Sequence, residues 1–335
     1  MMQRNGVLRQ QNIATPGAYG NYSFCSRCSN IITMKCTLCP RNCNVDRTVR
    51  TGVCRTDGIL LSRVARHDWE EPCISGDGGS GTVFFAGCNL HCRFCQNYDI
   101  SVAPHGVQVS VEELADIFLY IQQMGWKNIN LVTPSHLSDR VAEVLHLVKP
   151  HLTIPVVYNT SAYEKVSALK ALDGLVDVYL PDLKWCSPDV SQQLAGAKDY
   201  FKVATEAIAE MRRQQPKDVF DEGYITQGVI IRHLVLPSFV EDSKRVLDWI
   251  ANFDRDIFVS LMSQYFPARQ DTELPQLNRR LYKREYESVR EYFFNVGLHN
   301  GFSQDVSSAT VEYLPEFNDE TVLEALKNSP HVFAK

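Results

Sequence analysis

The stretch GTVFFAGCNLHCRFCQN, residues 81–97, decides how this chain is read. Its first half is a run of β-branched and aromatic residues between glycines, the composition of a buried strand over 82–86. Its second half sets Cys88, Cys92 and Cys95 on one short loop in the pattern CX3CX2C, with Phe94 just before the last cysteine. Thiolates at this spacing can all point inward from one turn. A structural zinc site takes four ligands and a disulfide takes two cysteines, so three thiols on a loop describe a metal centre one protein ligand short. The bland alternatives are two thiols sharing a zinc with distant partners, or reduced core thiols. The position directly after a strand favours a reactive centre.

Working outward, five further strand-like runs follow, at 128–132, 154–158, 176–180, 229–236 and 257–261. Helical patterns fall between or beyond them at 137–148, 163–172, 190–213, 241–252 and 276–296. One more, after residue 110, opens with a Ser110–Glu113 capping box followed by apolar residues at helical spacing. Strand alternating with helix predicts an α/β fold with a parallel sheet and right-handed crossovers, and both an open six-strand barrel and a doubly wound sheet satisfy the pattern. In either, the functional site lies at the C-terminal strand ends. Polar residues gather there: Thr133 and Ser135, Asn159 and Ser161, Asp182 and Lys184, Arg232 and His233, and Gln264.

Bulk properties narrow the class. The chain has 335 residues, 44% hydrophobic and 22% charged, enough apolar material for a sizeable core. The net charge of −5 argues against general nucleic-acid binding and against an anionic membrane surface. No apolar run reaches the length of a membrane span, and the polar start MMQRNGVLRQQNIATPG lacks a signal-peptide core, so a cytoplasmic location is expected.

Ten of the eleven cysteines lie between Cys25 and Cys95. In a reduced compartment that density reads as metal binding rather than disulfides. Cys36, Cys39, Cys43 and Cys54 form CX2CX3CX10C, flanked by Arg41, Arg47, Arg50 and Arg55, and such a set can close a zinc site or hold a second iron–sulfur cluster. Cys25 and Cys28 offer an alternative ligand pair, while Cys73 and Cys186 read as core residues. Residues 1–77 are assigned to a cysteine-rich N-terminal extension, 78–300 to the strand–helix core and 301–335 to a C-terminal tail packed on it. The glycines of DGGSG, residues 77–81, read as a flexible joint because they precede a strand and lack the Lys-Ser/Thr of a phosphate loop. His67, Glu70 and Glu71 could line the mouth of the site, but they read more simply as a solvated charge run.

CX3CX2C with Phe94, after the first strand of six strand–helix repeats, resembles the radical S-adenosylmethionine (SAM) superfamily. CRFCQN is similar to the CXXCHN loop of pyruvate formate-lyase activating enzymes, with Gln96 in place of histidine. CTLCPRNC, WEEPCISG, NLVTPSH, VVYNTSAYE, DVYLPDLKW, IRHLVLP, SLMSQY and GFSQ extend the resemblance along the chain to the PflX-like homologues of those enzymes. The resemblance implies a partial (β/α)6 barrel of the TIM type, with a [4Fe–4S] cluster on Cys88, Cys92 and Cys95 and S-adenosylmethionine as the cluster's remaining ligand. It implies cleavage of that molecule to a 5′-deoxyadenosyl radical which removes a substrate hydrogen. Phe94 and Asn97 would flank the nucleoside. Thr133 and Ser135 would stand where the superfamily often has a GGE turn for the methionine amine. Asp182 and Lys184 would lie near the carboxylate and ribose, with Asn159, Ser161 and Arg232 completing the contacts. The implied partners are a flavodoxin- or ferredoxin-type electron donor and a glycyl radical enzyme or other peptide substrate. Modification of a small molecule or RNA, and a non-catalytic electron-transfer protein, are the competing functions.

Overall fold

The computed structural model describes residues 35–304 and 316–334, all within the unit Lys35–Lys335. Cys25 and Cys28 lie outside the described residues. Ten strands are present among the described residues: β1 Ile59–His67, β2 Ser80–Phe85, β3 Val107–Val109, β4 Ile129–Val132, β5 Val156–Thr160, β6 Val178–Pro181, β7 Val219–Asp221, β8 Tyr224–Leu234, β9 Phe258–Met262 and β10 Gly301–Ser303. Nine helices accompany them: α1 Tyr98–Val102, α2 Val111–Gln123, α3 Ser138–Val148, α4 Val166–Lys170, α5 Pro188–Ala195, α6 Tyr200–Gln214, α7 Val240–Phe253, α8 Lys283–Asn295 and α9 Glu320–Asn328.

The sheet order is β10-β9-β8-β6-β5-β4-β2-β1-β3, and its two ends are not paired with each other. β2, β4, β5, β6, β8 and β9 run parallel in that succession, so all six point their C-terminal ends the same way. This is the partial barrel of six strand–helix repeats. β2, β4, β5 and β6 are buried at every residue, as strands covered on both faces must be. The Ser110–Glu113 capping box opens α2: Glu113 N–H donates to Ser110 Oγ at 3.1 Å and Ser110 N–H to Glu113 Oε2 at 2.7 Å. No helix among the described residues is long and apolar enough to cross a membrane.

Three predicted helices come out shorter. The pattern at 190–213 is two helices, because Gly196 takes a left-handed conformation at φ 58° and ends α5. The pattern at 163–172 keeps only α4, and 276–296 divides into a 3-10 turn, Pro275–Asn278, and α8. Four strands lie outside the six predicted: β1, β3, β7 and β10. β1 belongs to the residues assigned to the N-terminal extension and pairs antiparallel along β2 over Leu61–His67. Arg63 and Arg66 interrupt its apolar pattern, which hid it. The tail is fastened by Asp116, fully buried on α2, which accepts the backbone N–H groups of Val332, Phe333 and Ala334.

Gly87 joins β2 to the three-cysteine loop. It sits at φ +84°, and a Cβ there would stand 2.4 Å from the Cys54 carbonyl oxygen and 3.2 Å from His136 Nε2. The absence of a side chain thus lets the N-terminal cysteine segment lie directly against the loop's first residue. Gly87→Ala is expected to cost about 2–4 kcal/mol through the left-handed conformation and the backbone collision together. A melting temperature within about one degree of the native chain would refute that close approach.

Candidate active site

A cavity of about 230 Å³ opens at the C-terminal ends of the parallel strands. Its wall includes Cys88, Cys92, Cys95, Phe94 and Asn97 from the loop after β2, and Thr133 from the end of β4. Asn159 and Ser161 join from β5, Asp182 and Lys184 from beyond β6, Arg232 from β8, and Gln264 from beyond β9. Residues separated by more than 170 positions in sequence therefore meet because parallel strands end at one level.

The cysteine loop is held from outside. Arg41 donates to the carbonyls of Asn89 (2.7 Å) and Leu90 (3.1 Å) while also binding those of Ala195 and Gly196. Asn89 Nδ2 donates to the Tyr163 carbonyl at 2.8 Å. Arg93, between two of the cysteines, forks onto both oxygens of Asp271 at 2.7 and 2.9 Å and reaches Glu273 at 2.7 Å. Phe94 packs edge-on against Trp185 and Tyr265. Burial pushes the Cys92 thiol well up, against the pull of Lys184, and raises Cys95 too, against the Ser101 hydroxyl at 3.5 Å.

Opposite the loop lies a closed charge network. Arg232 donates from Nε to Asp182 Oδ1 (2.8 Å), from Nη1 to Glu70 Oε2 (3.0 Å) and from Nη2 to Asn159 Oδ1 (2.6 Å). Lys184 Nζ donates to Asp182 Oδ2 at 2.6 Å. Burial alone would raise the Asp182 carboxyl, but Arg232 and Lys184 outweigh it and hold it below the usual carboxylate range. Burial works against Lys184 and Arg232 as well, and their acidic partners hold both above their ordinary values.

Thr133 has φ +62°, a left-handed backbone that a β-branched residue rarely adopts, at the turn where a glycine pair would be at ease. Ser135 does not line the cavity. Its hydroxyl lies 2.9 Å from Thr160 Oγ1 and donates to Glu164 Oε1 at 3.0 Å, inside a buried cluster that includes the Tyr158 hydroxyl. His233 is also turned away, with Nδ1 on the Leu183 carbonyl at 2.7 Å.

The charge run at 67–71 is only partly solvated, with Asp68 and Trp69 exposed. His67 and Glu70 line the cavity, and Glu71 is 7% exposed. Burial raises the Glu71 carboxyl, with Arg232 opposing. The chain turns inward beyond β1, where the Glu70 side chain meets Asn159 on β5 and Arg232 on β8. That meeting, rather than any local pattern, is what sequence reasoning lacked. Leu90, Val132, Leu234 and Met262 supply apolar wall and were also missed, although each sits on the cysteine loop or at a strand end.

Cys36, Cys39, Cys43 and Cys54 line a second, smaller cavity with Arg47 and His136. Among the described residues no group of three or more His, Cys, Asp and Glu side chains is disposed to hold a metal ion.

The Arg93 fork generates a test. Its hydrogen bonds, first among the causes, hold the Asp271 carboxyl below its ordinary value of 3.8. A depressed carboxylate contributes its stabilisation above the unfolded-state pKa and loses it as pH falls through the folded one. Asp271→Asn is expected to raise amide hydrogen exchange across residues 89–96 by about tenfold at neutral pH. After correction for intrinsic rates, the native chain should approach the variant only below about pH 4. Equal protection in both chains at neutral pH would show that the fork does not hold the loop.

The model of the radical SAM superfamily matches residues 82–250, about half of the chain, from β2 into α7. Uncharacterized protein MJ0674 of Methanocaldococcus jannaschii is 32% identical over 272 residues, covering 78% of this chain and 74% of that protein. Among solved structures, methylornithine synthase (PylB) superposes with a TM-score of 0.47 at 16% identity, over 74% of this chain and 80% of that one. SuiB of Streptococcus suis bound to S-adenosylmethionine gives 0.44 at 16% identity, over 69% and 51%. From the matched family model and the parallel strands that carry it, the chain belongs to the radical SAM superfamily.

Proposed function

We propose that Cys88, Cys92 and Cys95 hold a [4Fe–4S] cluster, that S-adenosylmethionine binds in the cavity beside them, and that the chain uses the pair to remove a hydrogen atom from a substrate. The observation that carries this reading is the meeting of three thiols with the Asp182–Lys184–Arg232 network in one cavity at the strand ends. When bound, the cluster and S-adenosylmethionine supply reductive cleavage to a 5′-deoxyadenosyl radical. The chain's own residues bind, orient and exclude water.

Arg232 uses three of its five donors on Asp182, Glu70 and Asn159, and the other two suit a carboxylate. Lys184 adds charge at the same place. The Thr133 hydroxyl and the carbonyls of its turn can accept from an ammonium. Phe94 offers an apolar face to a nucleobase, with Asn97, Asn159 and Ser161 as polar contacts for the ribose and amino acid. Ser135 serves this site only indirectly, by bracing Thr160.

By resemblance, the hydrogen comes from a backbone glycine of a glycyl radical enzyme or another peptide. The electron then comes from a flavodoxin- or ferredoxin-type donor in the cytoplasm. Residues 78–300 form the catalytic core in this reading, with residues 1–77 as a metal-binding extension and 301–335 as a tail. Gln304 supports the last assignment, since its Nε2 donates to Gln264 Oε1 at the cavity wall.

The test is anaerobic reconstitution with iron and sulfide, followed by dithionite and S-adenosylmethionine. 5′-Deoxyadenosine is expected, and Cys92→Ala should abolish it. Arg232→Lys should raise KM for S-adenosylmethionine about tenfold or more, because a point charge replaces a planar fork. No 5′-deoxyadenosine from a chain whose cluster is spectroscopically intact would favour an electron-transfer protein instead.

A further inference from the structure

Behind the cavity wall lies a buried carboxyl to which the proposed function gives no role. Glu164, 2% exposed, follows the turn after β5, and three hydroxyls converge on it. Tyr158 Oη stands 3.0 Å from Glu164 Oε2, and Ser135 Oγ stands 3.0 Å from Oε1. Thr160 Oγ1 is also in contact with Oε1, and it lies 2.9 Å from Ser135 Oγ. The Ala162 N–H donates to Thr160 Oγ1 at 3.1 Å and brings its own hydrogen.

Counting hydrogens tells the two forms of the carboxyl apart. Four oxygen–oxygen contacts each need one hydrogen, and the hydroxyls of Tyr158, Ser135 and Thr160 supply three. A carboxylate only accepts, so it would leave one close pair facing each other lone pair to lone pair. A carboxylic acid supplies the fourth hydrogen. Oε1–H then donates to Thr160, Thr160 to Ser135 and Ser135 back to Oε1, while Tyr158 donates to Oε2. The surroundings agree with a neutral group. Lys165, next in sequence, sends its ammonium away to the Thr37 carbonyl at 2.6 Å and to Asn42. Burial lowers His136, beside Ser135, to about 4, so that imidazole is neutral. Two further titratable neighbours, Tyr179 on β6 and Asp139 on α3, add no positive charge. Burial also raises the Glu164 carboxyl, against its three hydroxyl partners.

We infer that Glu164 is a positioning residue present as the neutral acid, its proton closing a ring with Thr160 and Ser135 that locks two turns of the cavity wall together. One turn carries Thr133, at φ +62°, and leads into Ser135; the other carries Thr160, Ser161 and Ala162, the last at φ +58°. Thr133, Thr160 and Ser161 line the cavity. Two non-glycine residues in the left-handed region persist only where their surroundings hold them. The Thr160 carbonyl in turn accepts the Asp182 N–H at 2.8 Å, so the ring reaches the Arg232 network as well. The inference rests on the proposed function only for the identity of the molecule bound in the cavity.

The experiment compares the full native chain with Glu164→Gln and Glu164→Ala. The infrared difference between native and Glu164→Gln protein at neutral pH is expected to show a protonated-carboxyl band that shifts in D2O. Absence of that band would overturn the neutral form. In anaerobically reconstituted protein, Glu164→Ala is expected to raise KM for S-adenosylmethionine about tenfold with kcat nearly unchanged. Glu164→Gln should raise it less than about twofold, because its carbonyl takes Tyr158 and its two N–H groups reach Thr160 and Ser135. An unchanged KM in Glu164→Ala would overturn the positioning role, and an equal rise in both variants would overturn the neutral acid. If circular dichroism shows Glu164→Ala unfolded, Ser135→Ala takes its place, with a rise of about threefold expected and no rise overturning the role. A native chain that forms no 5′-deoxyadenosine would defeat the proposed function and leave this inference to amide exchange at residues 133–135 and 160–162. Exchange there is expected to be about tenfold faster in Glu164→Ala than in the native chain or Glu164→Gln, and equal exchange in all three would overturn it.

Discussion

Everything at the cavity depends on giving Arg232 partners inside the barrel. A guanidinium enclosed in a strand is tolerated only when its charge and its donors are met, and removing one partner of such a group costs on the order of 3–5 kcal/mol. β8 carries the arginine, β6 delivers Asp182, β5 delivers Asn159, and the turn after β1 delivers Glu70. One side chain thereby fixes the relative level of strands that are distant in sequence. The Asp182–Arg232 contact is also a backbone bridge that continues the β6–β8 pairing past the strand ends. The network is the last rung of the sheet as well as the wall of the cavity.

The cysteine loop follows a different logic. Leu90 and Phe94 pack it against the core, and arginines hold it by its backbone and its flank. Arg41 grips carbonyls on the loop and at the end of α5 together, and Arg93 anchors the loop to Asp271 in the segment after β9. Neither arginine points its charge at the sulfurs through a hydrogen bond. Position is thus supplied by groups that need not change when the thiols exchange protons for iron.

Legibility in the sequence divided along the same line. Six parallel strands, the capping box of α2 and the three-cysteine loop were readable because each is written in consecutive residues with a fixed period or spacing. Asp182, Lys184, Asn159 and Arg232 were readable because polar residues at the ends of apolar strands are conspicuous. β1 was not, since Arg63 and Arg66 interrupt its alternation and its partner β2 lies beyond a turn-rich segment. Without β1, Glu70 and Glu71 read as surface charge, although the fold buries both. Ser135 failed in the opposite sense: it stands in the right turn, but the buried carboxyl of Glu164 takes its hydroxyl away from the cavity. Neither outcome is encoded locally, because each depends on which side chain a distant strand brings alongside.

The charges around Arg232 also say what kind of molecule the wall suits. Lys184 and Arg232 are two cations, and Asp182 and Glu70 are two carboxylates in contact with them. Burial raises the neighbouring Glu71 carboxyl, with Arg232 opposing. The wall is thus close to neutral by itself and needs no counter-ion. A strongly anionic ligand would leave uncompensated charge in an enclosed place, at considerable cost. The amino-acid end of a ligand is different, since its carboxylate and ammonium arrive together and leave the local balance unchanged. Arg232 keeps two donors uncommitted, which suit such a carboxylate. The strained backbone of Thr133, at φ +62°, stands on the wall of the same cavity as the arginine.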